Sequence, residues 1–105
     1  MRNEKIKEII RDLGARFLSI NNNGSSLLTV TKVELTKSER NATILFTVFP
    51  PKFEKTALEF AKRKRSELKN FIKENSRLGI IPQIDFAIDF GEKNRQKIDS
   101  LLSQQ

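Results

Sequence analysis

Apolar residues near the amino terminus recur at helical spacing: Ile6, Ile9, Ile10, Leu13, Phe17 and Ile20, with Glu, Lys and Arg between them. This pattern predicts an amphipathic helix over residues 3–20. Asn21-Asn22-Asn23-Gly24-Ser25-Ser26 ends it, because these side chains compete for backbone hydrogen bonds and Gly tolerates the left-handed conformation. Two strands follow. Leu27 to Leu35 is rich in β-branched and aliphatic residues, and Ala42 to Phe49 sets Ala42, Ile44, Phe46 and Val48 on one face. The polar connector 36–41 suits an antiparallel hairpin, and Pro50-Pro51 stops the second strand.

The stretch from Phe53 to Pro82 carries a second helical stripe. Phe53, Ala57, Phe60 and Ala61 form its first part, and Leu68, Phe71 and Ile72 its second. The bridging position, 64 or 65, is Lys-Arg. The pattern allows one rod that lifts from its support there, or two helices that meet at a charged corner. Gly79 and Pro82 then break the helix before a third strand, in which Ile84, Phe86, Ile88 and Phe90 face one way and Gln83, Asp85 and Asp89 the other. Gly91 ends that strand, and residues 93–102 predict a short terminal helix anchored by Ile98, Leu101 and Leu102. Three strands are too few to be buried on both faces, so the expected class is α+β, one layer of helices on one sheet. We expect a single domain over 1–105, with its core at about 5–91 and 92–105 as terminal helix and tail.

Composition narrows the chemistry. With no Cys and no His, the chain lacks thiol nucleophiles, disulfides, the commonest metal ligand and the commonest general base. Ser25 and Ser26 have no histidine to activate them, and there is no Gly-rich phosphate loop. No enzyme activity, metal or cofactor is expected. The absence of a long apolar run or signal-like amino terminus predicts a cytoplasmic protein without membrane contact.

Twenty Lys and Arg against thirteen Asp and Glu give a net charge of +7, which favours phosphate-bearing partners. The charge is concentrated: residues 52–77 hold nine basic and four acidic groups. Lys62, Arg63, Lys64 and Arg65 form its densest point, and Lys69, Lys73 and Arg77 continue from Arg65 at i+4 spacing. Such a ridge suits a nucleic-acid backbone. Any solvated helix face also collects Lys and Arg, and Glu59, Glu67 and Glu74 partly neutralise this one; overall charge and local concentration favour the nucleic-acid reading. All eight aromatics are Phe, a residue able to stack on bases. Phe17, Phe46, Phe60, Phe71, Phe86 and Phe90 fall on apolar stripes and are assigned to the core; Phe49 and Phe53 are left open. Asp85 and Asp89, about 13 Å apart along a strand, are too distant to share a metal and are expected to be solvated.

At this point the chain resembles the ribosome-binding factor A family over about residues 5–102. Leu28-Thr29-Val30-Thr31-Lys32-Val33-Glu34-Leu35 is similar to the family's first strand, and Arg40 leads into Ala42 as at the family's turn. Ile81-Pro82-Gln83-Ile84-Asp85-Phe86 resembles its V-P-x-L-x-F, and Asp89 precedes Lys97-Ile98-Asp99 as the family's Asp precedes its R-I-D. The resemblance implies a type II KH-like fold of order α-β-β-α-α-β plus a terminal helix. It also implies an interrupted helix marked by Ala-x-Gly, which aligns with Lys64-Arg65-Ser66 here. The chain has neither the Ala nor the Gly, and Ser66 is expected to cap the second half instead.

The function implied by the resemblance is that of a factor assisting maturation of the small (30S) ribosomal subunit by binding 16S rRNA, with a part in rRNA processing and in cold conditions. The expected partners are 16S rRNA and the small subunit, and the protein is expected to be a monomer. Phosphate contacts are assigned to Lys62, Arg63, Lys64, Arg65, Lys69 and Lys73, with Arg77, Lys37 and Arg40 as secondary candidates. Two alternatives stand beside this: a KH-like module for another RNA, and a protein-interaction module using the open sheet face at Thr43, Leu45, Thr47 and Phe49. A basic surface for acidic lipids is weaker still, since the ridge lacks an exposed apolar face.

Overall fold

A computed structural model describes the backbone of residues 2–22 and 24–103 and the side chains of residues 3–22 and 24–96. The elements run α1 (Arg2–Asn21), β1 (Leu27–Leu35), β2 (Asn41–Phe49), a short 3-10 turn (Pro51–Phe53), α2 (Glu54–Arg63), α3 (Arg65–Asn75), β3 (Gln83–Ile88) and α4 (Phe90–Ser103). The three strands form one sheet in the order β1-β2-β3, with β1 antiparallel and β3 parallel to β2. α1 lies against β1 and α3, while α2 and α3 lie against β3. This is the KH-like α+β arrangement that the residue pattern and the resemblance imply.

Alternation fills the core as expected from β2 and β3: Ala42, Ile44, Phe46, Val48, Ile84, Phe86 and Ile88 are all buried. Phe46 and Phe86 meet edge to face with ring centres 6.0 Å apart, and Phe17 of α1 meets Phe71 of α3 at 5.7 Å. In α1 the buried stripe is Ile6, Ile10, Leu13, Phe17 and Leu18. Leu18, not Ile20, completes it. The i+4 row Ile10, Gly14, Leu18 faces the sheet, which leaves Ile20 66% exposed at the helix end. Gly14 lets the helix come close, since a Cβ there would lie 3.0 Å from Ile44 Cδ1.

β1 departs from simple alternation. Its pairing with β2 passes from Val30↔Phe46 to Lys32↔Leu45, leaving Thr31 as a bulge. The bulge shifts the phase, so that Leu28 and Val30 pack against the core before it and Val33 and Leu35 after it. The β1–β2 turn closes through Glu39 N–H to the Thr36 carbonyl at 2.9 Å and Thr36 N–H to the Asn41 carbonyl at 3.0 Å.

The end of β3 corrects two expectations. The strand stops at Ile88, so Phe90 does not extend its buried row; it is the first residue of α4 and 63% exposed. Asp89 is buried rather than solvated. Its Oδ1 accepts the Glu92 N–H at 3.0 Å as an N-cap, its Oδ2 accepts the Thr31 hydroxyl at 2.5 Å, and its own N–H continues the ladder to the Phe46 carbonyl at 2.8 Å. α4 thus starts at Phe90, earlier than the pattern suggests, and is tied to α2 by the Lys93–Glu54 ion pair at 2.9 Å. The expected anchors Ile98, Leu101 and Leu102 lie outside the residues whose side chains are described.

Candidate nucleic-acid interface

The interrupted stripe resolves into two helices separated by one residue. Ala57 and Ala61 anchor α2 and Leu68 and Ile72 anchor α3, all of them buried. A continuous stripe would need an apolar side chain at 64 or 65, and the chain offers only cations there, which stay out of the core. Lys64 takes up the change at φ −95° and ψ 7°, outside regular helical geometry. Its N–H still bonds back to the Phe60 and Ala61 carbonyls, at 3.2 and 3.1 Å, and its carbonyl accepts the Leu68 N–H at 2.9 Å. Arg65 Nε donates to the Lys62 carbonyl at 3.0 Å, adding a side-chain bond across the end of α2. No Ala-x-Gly is required, because none of Lys64, Arg65 and Ser66 adopts a positive φ. Ser66 does not cap α3: the helix resumes at Arg65, with Lys64 as N-cap and no side-chain cap bond, so Ser66 already lies in the first turn.

This break opens onto a groove of about 450 Å3 between the first turn of α3 and the starts of β2 and β3. Arg65, Ser66 and Lys69 form one wall; Asn41, Ala42, Thr43, Gln83, Ile84 and Asp85 form the other. The pairs Asn41↔Gln83 and Thr43↔Asp85 stand side by side in the parallel register, and their polar side chains alternate with buried Ala42 and Ile84. The groove therefore combines two cations, a hydroxyl and the uncapped amide end of a helix, all favourable to an anion.

Asp85 is the exception in sign. Its Oδ1 receives Lys62 Nζ at 3.2 Å, Arg65 Nη1 at 3.3 Å and the Phe86 N–H at 2.8 Å. Partial burial works to raise its pKa, but the Phe86 amide, the Lys62 hydrogen bond and the Lys62 and Arg65 charges outweigh it and hold the carboxyl below its ordinary value. Like Asp89, it is therefore bound to partners, not freely solvated. Lys69 makes no ion pair among the described residues.

The remaining expected cations do not share one face. Arg63 lines a different hollow, of about 90 Å3, with Leu28, Phe53 and Phe60. Lys64 turns to Glu67 at 3.4 Å and lies 6.0 Å from the Phe60 ring centre. Lys73 is exposed on α3. Arg77 leaves the expected i+4 row, because α3 ends at Asn75 and Ser76 is extended, with φ −144° and ψ 171°. It borders a hollow with Lys5 and Ile9 of α1 instead. Lys37 and Arg40 are exposed in the β1–β2 turn. Arg40 adjoins the groove's end, its carbonyl accepting the Gln83 N–H at 2.8 Å.

Of the open sheet face, Thr47 is buried, Thr43 and Leu45 are half-buried, and Phe49 is 70% exposed. Phe53 is half-buried. Among the described residues, no cluster of three or more acidic side chains is placed to hold a metal ion, and no helix is long and apolar enough to cross a membrane. The polar partners Asn41, Gln83 and Asp85 do not stand out as site residues in the sequence; their period-2 placement is visible there, but the β2–β3 register that joins them is not.

The family model described as ribosome-binding factor A matches residues 2–102. The chain belongs to the ribosome-binding factor A family. Solved structures of that family share its fold. The crystal structure of ribosome-binding factor A from Thermus thermophilus is similar with a TM-score of 0.72 and 20% identity, covering 81% of this chain and 93% of that one. The solution NMR structure of a Thermotoga maritima protein described as a putative ribosome binding factor A gives 0.59 and 24%, covering 80% and 79%. A T. thermophilus ribosome binding factor A homology model, fitted into the cryo-electron-microscopy map of a 30S complex of that factor, gives 0.66 and 21%, covering 75% and 86%. No curated protein matches the chain.

Proposed function

We propose that this chain, as a single domain over residues 1–105, is a non-enzymatic cytoplasmic factor that assists maturation of the small ribosomal subunit by binding 16S rRNA as a monomer. It acts in rRNA processing and in cold conditions. Membership in the ribosome-binding factor A family supports the ribosomal setting, as does the relative fitted into a 30S complex. The observation that carries the RNA contact is the groove at the helix interruption, where Arg65, Ser66 and Lys69 face the starts of β2 and β3. Lys62 and Arg65 meet phosphate at the corner, Lys69 and Lys73 extend the track along α3, and Arg40 and Lys37 extend it past the β1–β2 turn. Lys64, Arg63 and Arg77 contribute to the wider positive field. These long cations position a backbone; RNA shape and the groove's polar side chains supply selectivity.

The alternative that uses the open sheet face has less support, since only Phe49 of its four residues is exposed. Co-sedimentation with small-subunit precursors tests the proposal. Reversing Lys62 to Arg65 to Glu should abolish association while leaving the circular dichroism spectrum unchanged. Intact association of that folded variant overturns the site, and association of the unmodified protein with free transcripts but not with precursors overturns the ribosomal role.

A further inference from the structure

Arg65 in the wall of the groove and Lys62 on the last turn of α2 beside it both point at one carboxylate oxygen of the facing wall, Asp85 Oδ1, at 3.3 and 3.2 Å. The same oxygen accepts the Phe86 N–H, which fixes the carboxylate on the sheet wall independently of the two cations. Two cationic side chains converging on one anionic oxygen, with a backbone N–H beside them, is also how a protein holds a phosphate oxygen. The three side chains are each 42–48% exposed, so solvent and ligands reach them. Exposed ion pairs are individually weak, and an RNA phosphodiester, a monoanion like the carboxylate but flanked by further phosphates along the strand, can displace such a partner.

We infer that Asp85 is an internal counter-ion of the groove: its carboxylate occupies the place of one RNA phosphate, and RNA binding exchanges Lys62 and Arg65 from Asp85 to that phosphate. This rests on the RNA-binding reading of the groove. The exchange makes docking weaker and less salt-dependent than the number of cations implies, because two of them enter the complex already partnered and release fewer counter-ions. It also keeps the corner partly neutral in the free protein, which disfavours single small anions relative to a polyanion able to engage Lys69 as well.

The experiment measures binding of the full chain to a 16S rRNA transcript over a salt series, for the unmodified protein and for Asp85→Asn. Asn keeps an oxygen for the Phe86 N–H and removes the charge; Asp85→Ser provides a second variant of different shape. Relieving one counter-charge should tighten binding about fivefold near 0.1 M salt and steepen the log–log salt slope by about 0.7–0.9. In a Lys62→Gln/Arg65→Gln background the gain from Asp85→Asn should vanish, because the competition is local. Unchanged or weaker binding by folded Asp85→Asn overturns the inference, showing that Asp85 only positions the cations. An equal gain in the Gln background also overturns it, assigning the effect to net charge. If Lys62→Gln/Arg65→Gln binds as tightly as the unmodified protein, the RNA-binding reading of the groove falls, and the counter-ion role with it.

Discussion

The Thr31 hydroxyl donates to Asp89 Oδ2 at 2.5 Å, joining the bulge in β1 to the N-cap of α4 across the central strand. The bulge frees the Thr31 side chain from the regular ladder, and its oxygen also lies 3.2 Å from the Leu45 carbonyl. Asp89→Ala removes the cap and this bond together and is expected to cost about 2–3 kcal/mol of stability. Thr31→Val keeps the shape, deprives a buried carboxylate of one donor, and should cost about 1–2 kcal/mol. Urea denaturation of both single variants and the double variant should give a sum well short of additive, since they share one bond.

Asp89 also sets an acid limit. The Thr31 hydroxyl first, then the Glu92 amide, hold its carboxyl below the ordinary value of 3.8 against the opposing effect of burial, with further help from the Lys32 charge and the Gly91 amide. A carboxyl depressed in the folded state contributes stability above its unfolded pKa and loses it as the pH falls through the folded one. Unfolding free energy should therefore be level near neutrality and drop below about pH 4. Asp89→Asn should make that drop shallower, read from urea midpoints across the pH series. Asp85 shifts in the same direction, but its exposure screens its contribution to a smaller one.

Gly14 and Ile44 provide a packing test. Ala at 14 gains about 1 kcal/mol of helix propensity over Gly but places its Cβ 3.0 Å from Ile44 Cδ1, and Ile44 is fully buried. Ile44→Val deletes that Cδ1. Gly14→Ala should accordingly be more favourable in the Ile44→Val background than in the unmodified protein by about 1 kcal/mol. Equal effects in both backgrounds would show that α1 yields freely at this crossing.

The basic residues divide by location. Arg65 and Lys69 line the groove, whereas Arg63 and Arg77 border other hollows. Under the proposed function, Arg65→Gln/Lys69→Gln should weaken 16S rRNA binding by about thirtyfold near 0.1 M salt, as two lost phosphate contacts imply. Arg63→Gln/Arg77→Gln carries the same change in net charge and should weaken it only a few-fold. Filter binding of the two pairs side by side separates a located contact from a diffuse field.

Much of this organisation is legible in the residues themselves. The element order follows from periodicity and from Gly and Pro punctuation, and the break at 64 follows from cations placed where the stripe needs a hydrophobe. Other features depend on partners that lie far away in sequence. The bulge leaves a trace, since Val30 and Val33 stand three apart in a strand of period two, but only the pairing with β2 identifies Thr31 as the extra residue. Asp89 heads an Asp-x-x-Glu pattern typical of a helix start, yet its alternation with Asp85 also fits a strand's wet face. Arg77 continues a numerical i+4 row beyond the end of its helix, where the Ser76 hydroxyl bonds to the Ile72 carbonyl at 2.7 Å and the chain turns away. The pairing of Asp85 with Lys62 and Arg65 joins residues on separate elements, so no local pattern announces it.

β2 has neighbours of very different origin. β1 reaches it through a short turn, but β3 pairs with it in parallel at a constant offset of 42 positions, as in Asn41 with Gln83. Closing so long a loop costs more entropy than closing a hairpin and slows the pairing that depends on it. On this ground the hairpin is expected to form first and β3 to dock later, an order that refolding kinetics of variants in each strand would check. Because β3 supplies Gln83 and Asp85 to one wall of the groove, a chain in which β3 has not yet docked lacks that surface: it carries the positive charge but has nowhere to seat a backbone.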